Sequence, residues 1–112
     1  MLIACRDFDL RPSICEDILL LKSVGLRPIV VHGGGPEISK TLERLGSKPE
    51  FIDGQRVTHA SDLKVVEMVL TGSINTELVT LLNRSGANAV GLSGKDGALL
   101  RAQKFIREDG KD

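Results

Sequence analysis

The stretch that decides the fold is Pro28-Ile29-Val30-Val31-His32, which runs directly into Gly33-Gly34-Gly35-Pro36. The first five residues are apolar and rich in β-branched side chains up to the histidine. That composition is typical of a strand that is buried on both faces of a parallel sheet. The three glycines that follow predict a loop. The proline marks the first residue of a helix, because its fixed φ suits that position.

The residues after the proline support this helix. Ile38, Leu42 and Leu45 recur at helical spacing and are expected to share one face, and Gly46 ends the pattern. Strand, glycine loop and helix therefore follow one another, as they do in the repeating unit of an α/β fold.

The triglycine loop, Gly33, Gly34 and Gly35, is the strongest chemical signal in the chain. A strand that delivers three glycines to the start of a helix exposes backbone N–H groups with no Cβ in the way, and the helix dipole adds positive potential there. Such a loop suits an anion, above all a phosphoryl group. The alternative is a tight turn that only needs positive φ. The spacing fits neither the dinucleotide-binding nor the Walker glycine pattern.

Length and composition describe one globular domain. The chain has 112 residues, of which 41% are hydrophobic and 27% are charged. Its 15 basic residues balance its 15 acidic residues, and only three residues are aromatic. A neutral chain with so few aromatic rings lacks the basic face and the stacking platform of nucleic-acid-binding proteins. We therefore expect no nucleic acid among its partners.

The cysteines and the N-terminal residues point to a cytoplasmic protein. Cys5 and Cys15 are too few for a disulfide framework or a four-ligand zinc site, and we expect them to be reduced residues of the core. No metal site is predicted. The apolar run at the N-terminus is too short for a signal peptide or a membrane span. We therefore expect no membrane association.

The other segments of the first half also alternate between strand and helix patterns. Residues Leu2 to Cys5 predict a first strand, and Ser13 is a candidate N-cap for a helix that Gly25 ends. Asp53-Gly54 lies between two strand-like runs within residues 51–58, which indicates a tight hairpin.

The second half is expected to contain two helices and two strands. A helix from Leu63 to Leu70, capped by Asp62 and ended by Gly72, is apolar on nearly every side, so it must be buried in the core or against another subunit. A further helix stops at Gly86. We then expect a buried strand at 89–92, a loop at 93–97, a strand beginning at 98–102 and a polar tail at 103–112.

Arg56 is the main candidate among the charged side chains. It lies just past the hairpin turn, in a segment that is placed to fold over the triglycine loop. A guanidinium fork binds a carboxylate bidentately. A lone hairpin arginine is, however, also commonly a solvated surface charge.

His32, at the end of a buried strand, is expected to be a hydrogen-bonded structural residue rather than a base. Lys95 and Asp96 suit a turn better than a phosphate contact, and Glu67 faces either an interface or solvent.

Four motifs, in this order, resemble the acetylglutamate kinases of the amino acid kinase family. They read VVHGGGPEI at 30–38, DGQRVT at 53–58, VEMVL at 66–70 and AVGLSGKDG at 89–97, and the resemblance extends from about Leu10 to about Ala102. It implies a three-layer αβα sandwich with a mainly parallel sheet, truncated to its N-terminal half. Residues 1–102 would then be an incomplete amino acid kinase domain. The implied reaction is the phosphorylation of N-acetyl-L-glutamate by ATP and Mg²⁺ in arginine biosynthesis.

The resemblance also implies a substrate site and a dimer. Gly34 and Gly35 would donate backbone N–H groups to the substrate and to the phosphoryl group in transit, and Gly33 would belong to the same loop. Arg56 would grip a carboxylate of the substrate, N-acetyl-L-glutamate. The helix Leu63–Leu70 resembles the helix through which the family forms homodimers.

The first strand departs from the family pattern. In the family this strand ends in Lys-Tyr-Gly-Gly or a close variant, and its lysine stabilises the transferring phosphoryl group. Residues 1–9 contain no lysine and no glycine pair. The second catalytic lysine and the ATP-binding half also have no counterpart among the 112 residues. The sequence therefore offers no catalytic residue and no evident site for ATP or Mg²⁺.

Phosphoryl transfer depends on positioning and on positive charge. We therefore expect the isolated chain to be inactive as a kinase. Two interpretations remain. In the first, the chain is the substrate half of an acetylglutamate kinase: a fragment, a truncated gene product or a subunit completed by a chain that supplies the nucleotide half. In the second, it is a non-catalytic remnant that acts as a ligand-binding or dimerisation module.

Overall fold

The computed structural model describes residues 1–5 and 11–103. The elements of its first half are β1 (Leu2–Cys5), α1 (Arg11–Ser23), β2 (Ile29–His32), α2 (Gly35–Arg44), β3 (Glu50–Ile52) and β4 (Gln55–Val57). A long helix follows, made of α3 (Leu63–Glu67), a π-helical segment (Met68–Asn75) and α4 (Thr76–Arg84). A 3₁₀ turn spans Asp96–Ala98. Strands β1 and β2 pair in parallel, so the predicted α/β architecture with a parallel sheet is confirmed.

The β1–β2 sheet is covered by helices on one face only. Ile3 and Val30 point to the covered face and pack against a buried cluster. The alternate side chains Leu2, Ile29 and Val31 lie on the other face and are 71%, 64% and 52% exposed. The prediction that residues 28–32 are buried on both faces is therefore wrong for this chain. The described residues supply no second layer for that face.

The start of α1 also differs from the prediction. The helix begins at Arg11, so Ser13 lies inside its first turn and is not the N-cap. Pro12 was the missed signal, because proline is favoured in the first turn of a helix. Gly25 ends the helix as predicted: its φ is +89°, and its N–H donates to the carbonyl of Lys22 at 3.0 Å.

Helix α2 buries Ile38 and Leu42, as its pattern predicts. Leu45 does not share that face and is 65% exposed, because it is the residue at which the chain leaves the helix. Gly46 follows with φ +86° and ends the helix as expected. Pro36 is the second helical residue rather than the first, since α2 already begins at Gly35.

The predicted hairpin is confirmed. Strands β3 and β4 are antiparallel, and Ile52 lies opposite Gln55. Asp53 and Gly54 both have positive φ, 49° and 77°. This is the two-residue turn whose twist matches that of the flanking strands.

The predicted break at Gly72 is wrong. Gly72 lies inside the π-helical segment, and the helix continues to Arg84. A glycine costs a helix interior roughly 1 kcal/mol, whereas Val69 and Ile74, on either side of it, are both buried in the same cluster. Their burial outweighs that cost. Asp62 precedes the helix as predicted, but its side chain makes no capping hydrogen bond.

The long helix, Leu63–Arg84, has 22 residues. By length and composition it would suffice to cross a membrane, a test that core helices of soluble proteins also pass. Here it contributes to both buried clusters of the described chain. The first cluster consists of Ile38, Leu42, Val69, Ile74 and Leu78, and the second of Cys15, Ile18, Leu82 and Ala87. The helix thus joins α2 to α1 and the sheet. Cys15 is a core residue as predicted, whereas the side chain of Cys5 lies outside the described part.

The two strands expected after the long helix are absent from the described residues. At Ala89 the side chain of Asn83 replaces a neighbouring strand: its Nδ2 donates to the Ala89 carbonyl at 3.0 Å, and its Oδ1 accepts from the Ala89 N–H at 2.5 Å. Val90 and Leu92 are exposed instead of buried. Residues 98–102 also form no strand, because no described strand lies beside them. The loop at 93–97 is confirmed, and residues 104–112 of the predicted tail lie outside the described ranges.

The burial of α2 gives a test of the core. Leu42 is 2% exposed and lies at the centre of the first cluster. Leu42→Ala should lower the free energy of unfolding by about 2–5 kcal/mol, because it leaves a cavity. Leu45→Ala is the matched control and should change stability by less than about 0.5 kcal/mol. Urea denaturation measures both. Equal losses for the two variants would contradict the observed burial.

Candidate functional site

The three glycines of the loop serve different purposes. None of them lies in the left-handed region, and Gly34 is extended with a φ of 176°, so the interpretation of the loop as a turn that needs positive φ is wrong. A Cβ on Gly34 would lie 2.4 Å from Cδ1 of Ile74 and 2.9 Å from Cδ2 of Leu70. A Cβ on Gly33 or Gly35 would meet nothing within 4 Å. The middle glycine therefore lets the long helix approach, and the outer two keep open space beside the backbone.

The loop leads into the N-terminus of α2. The carbonyl of Gly34 accepts the first hydrogen bond of the helix, from the N–H of Ile38 at 2.9 Å. The N–H groups of the first turn have no acceptor within the helix, and the dipole of a ten-residue helix makes this end positive. Open space, backbone donors and positive potential thus coincide at this end of α2.

Arg56 reaches this helix end from strand β4. Its Nη2 donates to the carbonyl oxygen of Gly35 at 2.8 Å and to Oγ of Ser39 at 2.7 Å. The guanidinium also lies over the ring of Phe51, 4.7 Å from its centroid. The hairpin therefore does fold over the end of the triglycine loop. The alternative of a freely solvated surface arginine is wrong.

The other terminal nitrogen of Arg56, Nη1, is buried and has no hydrogen-bond partner. A buried donor without an acceptor costs roughly 1–3 kcal/mol, and more when it carries charge. Since water does not reach Nη1, solvent does not offset this cost. An anionic oxygen placed against Nη1 would supply the missing acceptor in a charge-assisted hydrogen bond. Among the described side chains, this is the clearest unmet hydrogen-bonding capacity.

The remaining candidates have structural partners. Nδ1 of His32 donates to the carbonyl of Gly33 at 3.1 Å, which fits the expected hydrogen-bonded role. Glu67 bonds Nζ of Lys95 at 2.7 Å, and the carboxylate of Asp96 accepts from the N–H of Ser93 at 2.6 Å within the turn. The pair between Glu67 and Lys95 is exposed, so it contributes little to stability.

Sequence reasoning missed the residues that hold the guanidinium. Ser39 and Phe51 drew no attention, although Ser39 follows Gly35 by one helical turn and therefore shares its face. The sequence pattern also gives no sign that His59 has a partner, yet its Nε2 lies 3.0 Å from Oε2 of Glu50. No three His, Cys, Asp or Glu side chains among the described residues are close enough to hold a metal ion.

A groove of about 250 Å³ lies between α2 and the long helix, outside the loop. Its walls include Leu45, Val65 and Met68. Met68 is 61% exposed and Leu63, five residues earlier, is 58% exposed. Two large apolar side chains of this helix are therefore exposed, beside the charged side chains of Lys64 and Glu67.

The close approach at Gly34 gives a second test. Gly34→Ala should destabilise the fold by about 1–3 kcal/mol, since the new methyl group collides with the buried side chain of Ile74. Gly33→Ala is the control from the same loop and should leave the unfolding free energy within about 0.5 kcal/mol of the unmodified chain. Thermal or urea unfolding of both variants measures the difference. A stable Gly34→Ala variant would mean that the helix does not approach the loop this closely.

Comparison with known proteins agrees with the motifs. The model of the amino acid kinase family matches residues 4–112. Acetylglutamate kinase from Thermoanaerobacter sp. (strain X514) is 56% identical over 101 residues, which are 90% of this chain and 34% of that protein. Acetylglutamate kinase from Geobacter sulfurreducens is 52% identical over 109 residues, 97% of this chain and 37% of that protein. The chain spans about a third of the length of these curated relatives.

A solved structure shares the fold. N-acetylglutamate synthase from Neisseria gonorrhoeae, in complex with coenzyme A and N-acetyl-glutamate, superimposes with a TM-score of 0.72 and 25% identity. The match covers 99% of this chain and 26% of the synthase. The resemblance that the four sequence motifs indicated is thus confirmed by the family model, by full-length acetylglutamate kinases and by a fold comparison. The chain belongs to the amino acid kinase family.

Proposed function

We propose that this chain is the N-acetyl-L-glutamate-binding part of an acetylglutamate kinase. The complete enzyme would transfer a phosphoryl group from ATP to the side-chain carboxylate of N-acetyl-L-glutamate, in arginine biosynthesis. The identity of 52–56% to proteins named acetylglutamate kinase supports this. The structural observation that carries the proposal is the buried Nη1 of Arg56, which lacks an acceptor beside the triglycine loop.

The substrate chemistry matches the site. N-acetyl-L-glutamate carries two carboxylates, and the site offers two places for negative charge. Arg56 would bind one carboxylate through Nη1. The N–H groups of Gly34 and Gly35, at the positive end of α2, would bind the substrate and the phosphoryl group in transit, with Gly33 keeping the loop open. Because Nη1 is closed to solvent, substrate entry requires the groups that cover Nη1 to move while Nη2 stays anchored on α2.

ATP and Mg²⁺ would be bound elsewhere. In the family that the motifs resemble, the C-terminal half of the domain binds ATP, so we propose that both ligands are bound by the nucleotide half. The uncovered face of the β1–β2 sheet, with the exposed side chains of Leu2, Ile29 and Val31, is a surface on which another polypeptide could pack. Parallel sheets are normally covered on both faces. We propose that a polypeptide corresponding to the other two thirds of the relatives covers this face and supplies the nucleotide half.

The long helix would form a homodimer. Leu63 and Met68 of this helix are large apolar side chains that are exposed, and Met68 lines the groove along α2. Exposed apolar surface of this kind is typical of a subunit interface. We place the protein in the cytoplasm, because a chain with only two cysteines cannot form the disulfide framework that is typical of secreted domains.

One observation favours a second function. The described first strand, Leu2–Cys5, contains no lysine to stabilise a phosphoryl group. A chain without that positive charge can still bind an acidic metabolite. The alternative is therefore a non-catalytic module that binds N-acetyl-L-glutamate or forms dimers.

Binding of the substrate tests the site. Isothermal calorimetry should show N-acetyl-L-glutamate binding to the unmodified chain. Arg56→Ala should weaken binding by about 10- to 100-fold, because it removes a charge-assisted hydrogen bond. Arg44→Ala is the matched control, since it removes the same charge from the far end of α2. Loss of affinity in both variants to the same extent would point to general electrostatics and against a specific carboxylate contact.

Turnover tests the catalytic part. The isolated chain should show no ATP-dependent phosphorylation of N-acetyl-L-glutamate, because positive charge for the transition state is lacking. Addition of the remaining two thirds of a close relative as a separate polypeptide should restore activity if that polypeptide docks on the bare sheet face and supplies the positive charge that β1 lacks. A colorimetric assay for acyl phosphate measures both. Turnover by the chain alone would overturn the expectation, and binding without any restored turnover would favour the non-catalytic module.

A further inference from the structure

Ser39 determines which nitrogen of Arg56 is left for a ligand. Nη2 carries two N–H groups, and both are in use, one with the carbonyl oxygen of Gly35 and one with Oγ of Ser39. Nη1 carries two more, and the structure gives neither a partner. The two terminal nitrogens of the guanidinium thus differ in their hydrogen bonding. One end is anchored on α2 and the other lacks an acceptor.

The anchor needs both contacts. Gly35 and Ser39 are one helical turn apart on α2, so their oxygens face the same side of the helix. A single contact to the Gly35 carbonyl would let the guanidinium rotate about it. The second contact, to a hydroxyl on a rigid helix, fixes the plane of the fork. Phe51 covers the guanidinium from the hairpin side and restricts it further.

We propose that Ser39 is a positioning residue for the ligand-binding arginine. Its hydroxyl holds Nη2, so that Nη1 keeps a fixed orientation and can meet a carboxylate of the substrate once the groups that cover Nη1 move aside. This inference rests on the proposed function of the site. Preorganisation of this kind strengthens binding because the ordering of a flexible side chain is completed before the ligand arrives.

A double-mutant cycle on the full chain tests the proposal. Calorimetry with N-acetyl-L-glutamate should show binding about tenfold weaker for Ser39→Ala. Ser39→Thr, which keeps the hydroxyl, should bind as the unmodified chain does. In an Arg56→Ala background, Ser39→Ala should cause no further loss, because Ser39 acts only through the arginine. A general structural defect would instead weaken binding in both backgrounds.

Thr41→Val provides the matched control on the same helix. The hydroxyl of Thr41 donates only to the carbonyl of Glu37, 2.8 Å away, so this variant removes a helix hydroxyl without touching Arg56. It should leave affinity unchanged. NMR of the arginine side chain gives a readout that needs no ligand. Separate Nη1 and Nη2 signals of Arg56 are expected in the unmodified chain, and they should merge in Ser39→Ala as rotation becomes faster.

The outcomes separate the two proposals. If the unmodified chain binds and Ser39→Ala binds equally well or more tightly, the positioning role is wrong and the proposed function stands. If the unmodified chain does not bind N-acetyl-L-glutamate, both are wrong. Additive losses in the double variant would likewise overturn the positioning role, because they would mean that Ser39 acts independently of Arg56.

Discussion

The contact between the long helix and Gly34 is the constraint on which the rest of the structure depends. Ile74 and Leu70 occupy the space that a side chain at Gly34 would need. Ile74 is at the same time a centre of the first core cluster, together with Leu42. The side chain of Ile74 therefore belongs to the hydrophobic core and also packs against the backbone of the candidate site at Gly34. Burial of Ile74 holds the loop in place, and the loop's missing side chain permits the burial.

Helix α2 connects the hydrophobic core to the β3–β4 hairpin. Its inner face, with Ile38 and Leu42, is locked into the core, and its first turn presents Gly35 and Ser39 to Arg56. The guanidinium is consequently held by a rigid element although it comes from a short hairpin whose strand β3 is exposed throughout. In such a site the groups that hold the guanidinium are fixed on helix α2, whereas the exposed hairpin can move when a ligand enters. That combination suits a ligand whose charged groups must be removed from water.

The bare face of the sheet and the unpaired segment at residues 89–92 have one physical origin. A parallel sheet reaches its full burial only when further layers cover it. An extended segment becomes a strand only when a neighbour offers a hydrogen-bonding ladder. In this chain Asn83 satisfies Ala89 in place of such a neighbour, and Leu2, Ile29 and Val31 stay uncovered. Among the described residues, one side of the fold is therefore a well-packed core, whereas the other side exposes apolar strand residues.

The sequence alone determined the features that depend on neighbouring residues. The Asp53-Gly54 hairpin, the helix end at Gly25 and the strand–loop–helix unit around Gly33 to Gly35 were predictable, because turn chemistry and periodicity act over a few residues. The four motifs were also sufficient to indicate the family. Tertiary structure decided the rest. Gly72 fails to break the helix because burial on both sides outweighs its propensity, and Ser39 meets Arg56 only because distant segments fold together. Long-range packing of this kind leaves no local pattern in a single sequence.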